Sequence, residues 1–223
     1  MTAVFLQVRL DSSRLPRKAL ADLGGKPVVV RCFEALAAVA ADLRVLVTEP
    51  GSAPELEPWA HSSGWRTFVG SKENVLDRFV QGARAFGVDT VIRATGDNPL
   101  VSARLANQLA GRHTERSSDY SGFLGGPVGS GVEVLRVEAL ERAWASDPDA
   151  YEREHVSPFL YRNPDRFAVD HPDVPPPCRA PEARITLDTS EDLAYLRALW
   201  SDLYQGVPPE TEDLIPWLNR HPR

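Results

Sequence analysis

The chain has 223 residues, 43% of them hydrophobic, and a formal net charge of −6. This length suits one large domain or two small ones, with enough apolar surface for a sizeable core. The acidic balance argues against a general nucleic-acid binder, because such proteins usually present a basic face. Cys32 and Cys178 lie too far apart for a metal-ligand spacing or a dense disulfide framework, which favours reduced thiols.

The start of the chain also bears on where the protein works. Its first apolar run is short and is followed at once by Arg9, which does not fit a signal peptide. No apolar run approaches the roughly 20 residues that span a bilayer. We therefore expect a cytoplasmic protein that has no membrane partner.

The first half of the chain alternates short apolar runs with helical patterns. Buried strands are predicted at 3–8, 43–47, 65–69 and 88–94. Helices are predicted at 28–41, 54–62, 74–86 and, with Ser102 as a suitable N-cap, to about 112. This alternation predicts an α/β fold with a mostly parallel central sheet and helices on both faces.

The second half is less regular. Short strands are predicted at 118–121, 131–137, 167–169 and 184–187, with a mobile glycine-rich loop between the first two. Helices are predicted at 137–145, from about 151, at 193–204 and at 212–220. A proline-rich loop at 173–181 interrupts the core pattern.

The loop that follows the first strand is rich in cations and hydroxyls. Residues 9–18, which we call the cationic loop, include Arg9, Ser12, Ser13, Arg14 and Lys18. Arginine offers a planar set of hydrogen-bond donors, lysine offers a mobile positive charge, and a turn offers its backbone N–H groups. The loop is therefore suited to binding a polyphosphate. From this stretch alone, a solvated basic loop is an equally good interpretation.

Two aspartates follow predicted strands: Asp97 after 88–94, and Asp188 after 184–187. Ligands of parallel sheets lie beyond the carboxyl ends of the strands, so both carboxylates should share one cleft with the cationic loop. Carboxylates beside a phosphate site predict Mg²⁺, which is usually held by one or two carboxylates, phosphate and water. An ordinary turn at Asp97 and helix capping at Asp188 are the alternatives.

This combination suits a reaction at phosphorus. A metal and cationic side chains can stabilise attack of a hydroxyl on an α-phosphate and departure of pyrophosphate without a covalent enzyme intermediate. The chain lacks the Gly-x-x-x-x-Gly-Lys-Ser/Thr motif of P-loop NTPases. It also lacks Gly-x-Gly-x-x-Gly after the first strand, which argues against a dinucleotide-dependent dehydrogenase.

Five segments in the same order resemble the sugar-activating cytidylyltransferases: 7–18, 69–79, 93–100, 152–158 and 187–193. These enzymes include CMP-KDO synthetases and acylneuraminate cytidylyltransferases, and the chain is most similar to the spore coat polysaccharide biosynthesis protein F group. The resemblance implies the Rossmann-like nucleotide-diphospho-sugar transferase fold. It also implies Mg²⁺-dependent transfer of CMP from CTP to a sugar, above all a sugar acid, with release of pyrophosphate, for surface polysaccharide biosynthesis.

The resemblance further implies an organisation for the chain. Residues 1–223 would form a single nucleotidyltransferase domain. Its nucleotide-binding half would be 1–115, and its sugar-binding and dimerisation half 116–223. By analogy, the protein would be a homodimer.

The resemblance also implies roles for individual residues. Nucleotide binding falls to Gln7, Arg9, Ser12, Ser13, Arg14, Lys18, Gly70, Ser71, Arg78 and Arg93. Catalysis falls to Arg14, Lys18 and Asp97, and Asp97 with Asp188 would hold Mg²⁺. Glu133, Glu152 and His155 would line the sugar side. For Glu133 the alternative is pairing with an arginine, and for His155 it is capping and packing.

The cationic loop departs from the family at Asp11 and Arg17, where glycine is frequent. Asp11 adds a negative charge near the expected triphosphate, and Arg17 adds bulk and a cation. A non-glycine residue also resists a positive φ, although aspartate tolerates it better than most. These two residues favour a nucleotide- or sugar-binding homologue without catalysis, whereas the carboxylate pair favours an enzyme. A transferase of the same fold using UTP or GTP is a further alternative.

Overall fold

The computed structural model describes all 223 residues, in nine strands and nine α-helices. The strands are β1 (Thr2–Gln7), β2 (Asp22–Leu23), β3 (Lys26–Pro27), β4 (Leu43–Thr48), β5 (Arg66–Val69), β6 (Thr90–Thr95), β7 (Tyr120–Gly122), β8 (Glu133–Arg136) and β9 (Val169–Asp170). The α-helices are α1 (Val28–Leu36), α2 (Ala53–Ser62), α3 (Val75–Phe86), α4 (Ala103–Arg116), α5 (Val137–Ala145), α6 (Ala150–His155), α7 (Pro158–Tyr161), α8 (Ser190–Leu203) and α9 (Thr211–Arg220). None of these helices is both long and apolar enough to cross a lipid bilayer.

Seven strands form one sheet in the order β5-β4-β1-β6-β8-β7-β9. The first four run parallel, and in the register Phe5 of β1 lies beside Val45 of β4 and Arg93 of β6. β8 is antiparallel to both β6 and β7, and β9 is parallel to β7. The second half of the chain therefore extends the sheet of the first half, with β6 as the junction. β2 and β3 form a separate antiparallel pair.

Helices cover both faces of the sheet because the central strand is apolar on both sides. Ala3 and Phe5 of β1 belong to a core shared with α3, α5 and α7, and Val4 and Leu6 belong to a core shared with α1, α2, α4, α8 and α9. A strand buried on both faces has a continuous apolar run, which explains why β1 was predictable from its sequence. Full burial of each large side chain contributes about 1.5–3 kcal/mol, so these cores hold the end of β1 in a fixed place.

The mostly parallel sheet with helices on both faces confirms the predicted architecture. The prediction of a strand at 184–187 is wrong, because Arg184 makes only an isolated bridge with Val128. Ile185 and Leu187 are fully buried, so their apolar pattern reflects burial and not strand pairing. The helix predicted at 28–41 ends earlier, at Leu36.

Candidate active site

A polar cleft of about 270 Å³ opens where β1 and β6 end. It brings together the cationic loop, the turn after β6, the end of α6 and Asp188, which lies two residues before α8. The residues that line it are Gln7, Val8, Arg9, Ser12, Ser13, Arg14, Lys18, Ala19, Arg93, Thr95, Gly96, Asp97, Glu154, His155 and Asp188. The predicted convergence of the loop and the two aspartates is therefore seen in the structure.

The floor of the cleft is a cluster of Lys18, Asp97 and Asp188, which we call the floor cluster. The Lys18 ammonium donates to Asp97 Oδ2 at 2.8 Å, to Asp188 Oδ1 at 2.9 Å and to the Leu187 carbonyl at 2.8 Å. Only 14% of the Lys18 side chain, 25% of Asp97 and 12% of Asp188 is exposed. One cation thus connects two carboxylates from distant parts of the sequence.

The Asp188 side chain faces the cleft because its neighbours cap the helix. Thr189 is the N-cap of α8, and Asp192 Oδ2 accepts from the backbone N–H groups of Asp188 and Thr189 at 2.8 Å each. The alternative of helix capping at Asp188 is therefore not what the structure shows. The Asp188 carboxylate instead accepts from Lys18, from Arg14 at 2.8 Å and from Arg184.

The charge state of Asp188 follows from these contacts. Burial alone raises the pKa of this carboxyl group. The hydrogen bond from Lys18 and the charges of Arg14 and Arg184 lower the pKa more, so that it lies below its usual value. The group is therefore ionised at neutral pH and suited to a cation.

Asp97 is positioned by the turn after β6. Its Oδ1 accepts from the Thr95 hydroxyl at 2.7 Å, and its backbone carbonyl accepts from the Leu187 N–H at 2.8 Å. At Gly96, an added Cβ would lie 2.7 Å from a methyl group of Val8, so glycine permits the close approach of this turn to the end of β1. Asp97 thus belongs to an ordinary turn and also faces the cleft.

The donor set fits Mg²⁺. Two carboxylates, which are hard oxygen ligands, converge on one point that the Lys18 ammonium takes. Nowhere does the chain gather three or more His, Cys, Asp or Glu side chains in a metal-binding group. Asp97 and Asp188 would therefore hold the ion together with substrate phosphate and water, as magnesium sites usually do.

The rim of the cleft carries a second, more exposed cluster, made of Arg9, Asp11 and Lys72, which we call the rim cluster. Asp11 lies 2.9 Å from the Lys72 ammonium and 3.6 Å from Arg9 Nε. Arg9 also pairs with Glu154 at 3.0 Å. The exposed fractions are 47% for Arg9, 41% for Asp11 and 54% for Lys72.

The two departures from the family pattern behave differently. Arg17 has φ 60° and ψ 24°, the left-handed region in which glycine is favoured, whereas Asp11 does not have a positive φ. Arg17 points away from the cleft and forms a bidentate pair with Glu55 on α2. The left-handed backbone therefore explains why glycine suits position 17. At position 11 the backbone does not require glycine, and the effect of Asp11 is its negative charge.

A buried network supports the other wall. Arg93 Nη1 donates to Glu133 at 2.5 Å, and Arg93 Nη2 donates to the Gln7 side-chain carbonyl at 3.1 Å. The hydroxyls of Tyr120 and Ser157 also donate to Glu133, at 3.1 Å and 2.7 Å. Glu133 thus pairs with an arginine, as the alternative to a sugar-binding role predicted. It is not among the cleft-lining residues.

His155 lines the cleft next to a strained turn. Val156 has φ 72° and ψ −59°, and Ser157 N–H donates to the His155 carbonyl at 2.9 Å, which defines a γ-turn. Such backbone strain in a β-branched residue often marks a functional site. Burial and the charge of Arg93 lower the pKa of His155, which favours the neutral imidazole.

Five of the predicted site residues lie outside the cleft lining: Glu133, described above, and Gly70, Ser71, Arg78 and Glu152. Arg78 is 1% exposed, and its guanidinium donates to the Ser71 carbonyl at 2.6 Å and 2.8 Å. A Cβ at Gly70 would lie 2.8 Å from Arg78 Cγ, so both residues shape the loop beside the cleft. Glu152 forms the capping box of α6 with Asp149.

Sequence reasoning did not single out three charged residues that pair with residues of the cleft or rim: Lys72, Glu154 and Arg184. Lys72 and Glu154 lie inside two of the five family-like segments, which placed both residues near the site. Their ion pairs were not predictable from the sequence. Arg184 had been assigned to a strand. Its contact with Asp188, four residues further along the chain, carried no separate signal.

The family comparison agrees with this geometry. A family model described as cytidylyltransferase matches residues 3–211. The chain is 33% identical to the spore coat polysaccharide biosynthesis protein SpsF of Bacillus subtilis (strain 168), over 97% of this chain and 93% of that protein.

Solved structures show the same fold. A cytidylyltransferase from Leptospira borgpetersenii serovar Hardjo-bovis (strain JB197) superposes with a TM-score of 0.91 at 23% identity, over 99% of this chain and 94% of that one. A CMP:2-keto-3-deoxy-manno-octonic acid synthetase complexed with CTP gives a TM-score of 0.72 at 19% identity, over 90% and 98%. At these identities the likeness concerns the fold, and it confirms the predicted Rossmann-like nucleotidyltransferase architecture.

Proposed function

Because the chain belongs to the cytidylyltransferase family, as its five sequence segments predicted, we propose that it transfers CMP from CTP to a sugar and releases pyrophosphate. The observation that carries this proposal is the floor cluster, in which a cation of the loop faces two carboxylates at the carboxyl ends of parallel strands. The names of the relatives favour a sugar acid as acceptor and a role in surface polysaccharide biosynthesis.

The cationic loop would bind the triphosphate. Arg9 and Arg14 offer guanidinium donors, Ser12 and Ser13 offer hydroxyls, and Lys18 offers a charge that can follow the phosphate. These groups are preorganised by the end of β1, so little reorganisation is needed when charge develops on the leaving pyrophosphate.

Asp97 and Asp188 would hold Mg²⁺, which would neutralise phosphate charge and act as a Lewis acid. In the reaction, the acceptor hydroxyl oxygen bonds to the α-phosphorus, and the bond from that phosphorus to the bridging oxygen breaks. Pyrophosphate leaves with the electron pair, and the hydroxyl proton passes to solvent. The protein binds, orients and stabilises the charges without forming a covalent intermediate.

The acceptor would bind on the side of Arg93, Glu154 and His155. A neutral His155 can donate and accept hydrogen bonds to sugar hydroxyls, and the Arg93 cation favours an anionic sugar. Glu152 and Glu133 do not enter this proposal as direct ligands. Glu133 positions Arg93 through their 2.5 Å pair.

The first experiment measures thermal stabilisation by CTP, UTP, GTP and ATP, each with and without Mg²⁺. A ligand at about 100 times its Kd adds roughly 2.7 kcal/mol, which is a melting shift of about 5–10 °C for a chain of this size. We expect a Mg²⁺-dependent shift with CTP alone. A shift with another nucleotide would change the donor, and no shift with any would contradict the proposal.

The second experiment is Asp97→Asn, followed by pyrophosphate release with a panel of sugar acids. We expect kcat to fall about 100-fold or more while the fold persists, because the ligand charge at the floor is lost. Asp165→Asn is the matched control, since Asp165 is exposed and lies outside the cleft. Unchanged turnover in Asp97→Asn would overturn the role of Asp97.

A further inference from the structure

The cations of the cleft are already paired with carboxylates of the protein. Arg9, Arg14 and Lys18 each lie within 3.0 Å of a carboxylate oxygen. A triphosphate brings several negative charges of its own, so it must replace some of these carboxylates as it binds. Which carboxylates give way decides how tightly the nucleotide is held.

At the floor, the carboxylates have a further use. Asp97 and Asp188 would keep a cationic partner when Mg²⁺ accompanies the nucleotide, as proposed above. Asp11 is different because it lies at the rim, held by Lys72 at 2.9 Å and by Arg9 at 3.6 Å, while Arg9 also pairs with the Glu154 carboxylate at 3.0 Å. Asp11 bridges two cations from two separate segments of the chain.

The position of Lys72 does not depend on Asp11. Its loop is held from below by the Arg78 guanidinium, which donates to the Ser71 carbonyl. The Ser71 hydroxyl also accepts from the Asn74 N–H at 3.0 Å, and Asn74 caps α3. The backbone of Lys72 therefore stays at the rim when its partner changes, and its exposed side chain is free to contact another anion.

We propose that Asp11 is an internal anion that occupies Arg9 and Lys72 until the polyphosphate of the nucleotide displaces it, and that Lys72 is a further phosphate-binding residue. This inference rests on the proposed function, since it takes the cleft to bind a nucleoside triphosphate. Asp11 adds a negative charge next to these two cations, and this charge lowers the nucleotide affinity.

The charge of Asp11 is present throughout the neutral range. The hydrogen bond from Lys72 and the charges of Lys72 and Arg9 lower the pKa of Asp11 below its usual value. The charge of Asp11 should therefore not change between about pH 6 and 9, and its competition with the ligand should weaken with salt, because the cluster is exposed.

The test is isothermal titration of wild type, Asp11→Asn, Lys72→Gln and the double variant with CTP and with inorganic tripolyphosphate, both in Mg²⁺. We expect Asp11→Asn to bind both ligands about twofold to fivefold more tightly, the range of exposed ion pairs. Glu73→Gln is the matched control, because Glu73 is exposed in the same loop and makes no ion pair, yet its loss changes the net charge equally.

Lys72 is tested in the Asp11→Asn background, where nothing masks it. We expect Lys72→Gln to weaken binding about twofold to fivefold there and less in wild type, so the two effects should not add. Equal effects in both backgrounds, or none in the Asp11→Asn background, would overturn the role of Lys72.

The outcomes also separate this inference from the proposed function. If wild type binds CTP and Asp11→Asn binds no more tightly than Glu73→Gln, the inference fails and the proposed function stands. Binding that appears only in Asp11→Asn would support the inference strongly. Absence of binding in every variant would overturn both.

Discussion

The floor and rim clusters contain the same kinds of charges in different surroundings. At the floor, Lys18 lies between two mostly buried carboxylates, whereas at the rim Asp11 lies between two half-exposed cations. Water and salt screen the rim, while removal of one floor charge leaves its partners poorly solvated. The comparison teaches that the floor fixes geometry and the rim adjusts affinity.

The largest effect should come from Lys18→Met. The variant removes the cation that joins Asp97 to Asp188, and it removes a stabilising charge from the triphosphate. We expect kcat in pyrophosphate release to fall about 10²–10³-fold. Lys26→Met is the control, because Lys26 forms an exposed pair with Glu34 outside the cleft. A loss under tenfold would contradict the distinction between floor and rim.

The Arg93–Glu133 pair is intermediate, because it is largely buried and only its arginine lines the cleft. Arg93→Met should lower the free energy of unfolding by about 2–3 kcal/mol, since it leaves Glu133 with only hydroxyl partners. Urea denaturation measures this difference. The double variant Arg93→Met with Glu133→Gln should be more stable than Arg93→Met alone, and the reverse order would contradict the argument for an uncompensated charge.

The dependence of stability on acid pH should also distinguish the floor cluster from the rim cluster, by a smaller effect than the substitutions above. The lowered pKa values of Asp188 and Asp11 mean that both carboxylates stabilise the fold above the usual carboxyl range. This stability is lost as the pH falls through the lowered pKa of each group. Thermal melts from pH 7 to pH 2 should show a weaker acid dependence in Asp188→Asn than in Asp11→Asn. Equal curves would show that burial does not distinguish the two.

The smallest effect should come from Arg17→Gly. Glycine relieves the left-handed backbone at 17, but the pair with Glu55 is lost, so the two contributions oppose each other. We expect Tm to change by less than about 2 °C and turnover by less than twofold. Ser117→Gly is the control, since Ser117 has φ 51° at the end of α4 and no ion pair; its Tm should rise.

The sequence was most informative where local pattern and tertiary structure agree. Buried parallel strands give continuous apolar runs, so β1 and β6, and with them the cleft at their carboxyl ends, were predictable. The same pattern failed at 184–187, since Ile185 and Leu187 are buried without pairing in the sheet. An apolar run reports burial, and burial alone does not distinguish a strand from a packed extended segment.

The sequence predicted most of the residues that share the candidate site, but it did not predict which of them form ion pairs with each other. Asp97, Asp188 and the cationic loop were placed in one cleft from topology, and the structure brings them together. The pairing of Asp11 with Lys72 depends on how two loops approach each other, which no local pattern encodes. Glu152 and Glu154 lie two residues apart on one short helix and therefore face different surroundings: Glu152 caps α6, and Glu154 pairs with Arg9.

The hydrogen bond from the Leu187 N–H to the Asp97 carbonyl has a consequence for how the protein is made. Chains emerge from the ribosome N-terminal end first, and non-local contacts form late because their loop-closure entropy is large. β1, β4, β5 and β6 can assemble before Leu187 and Asp188 have been synthesised. A partly made or partly folded chain then possesses Asp97 without Asp188. Under the proposed function, such a chain would lack one of the two carboxylates that hold Mg²⁺, so we expect it not to consume nucleotide.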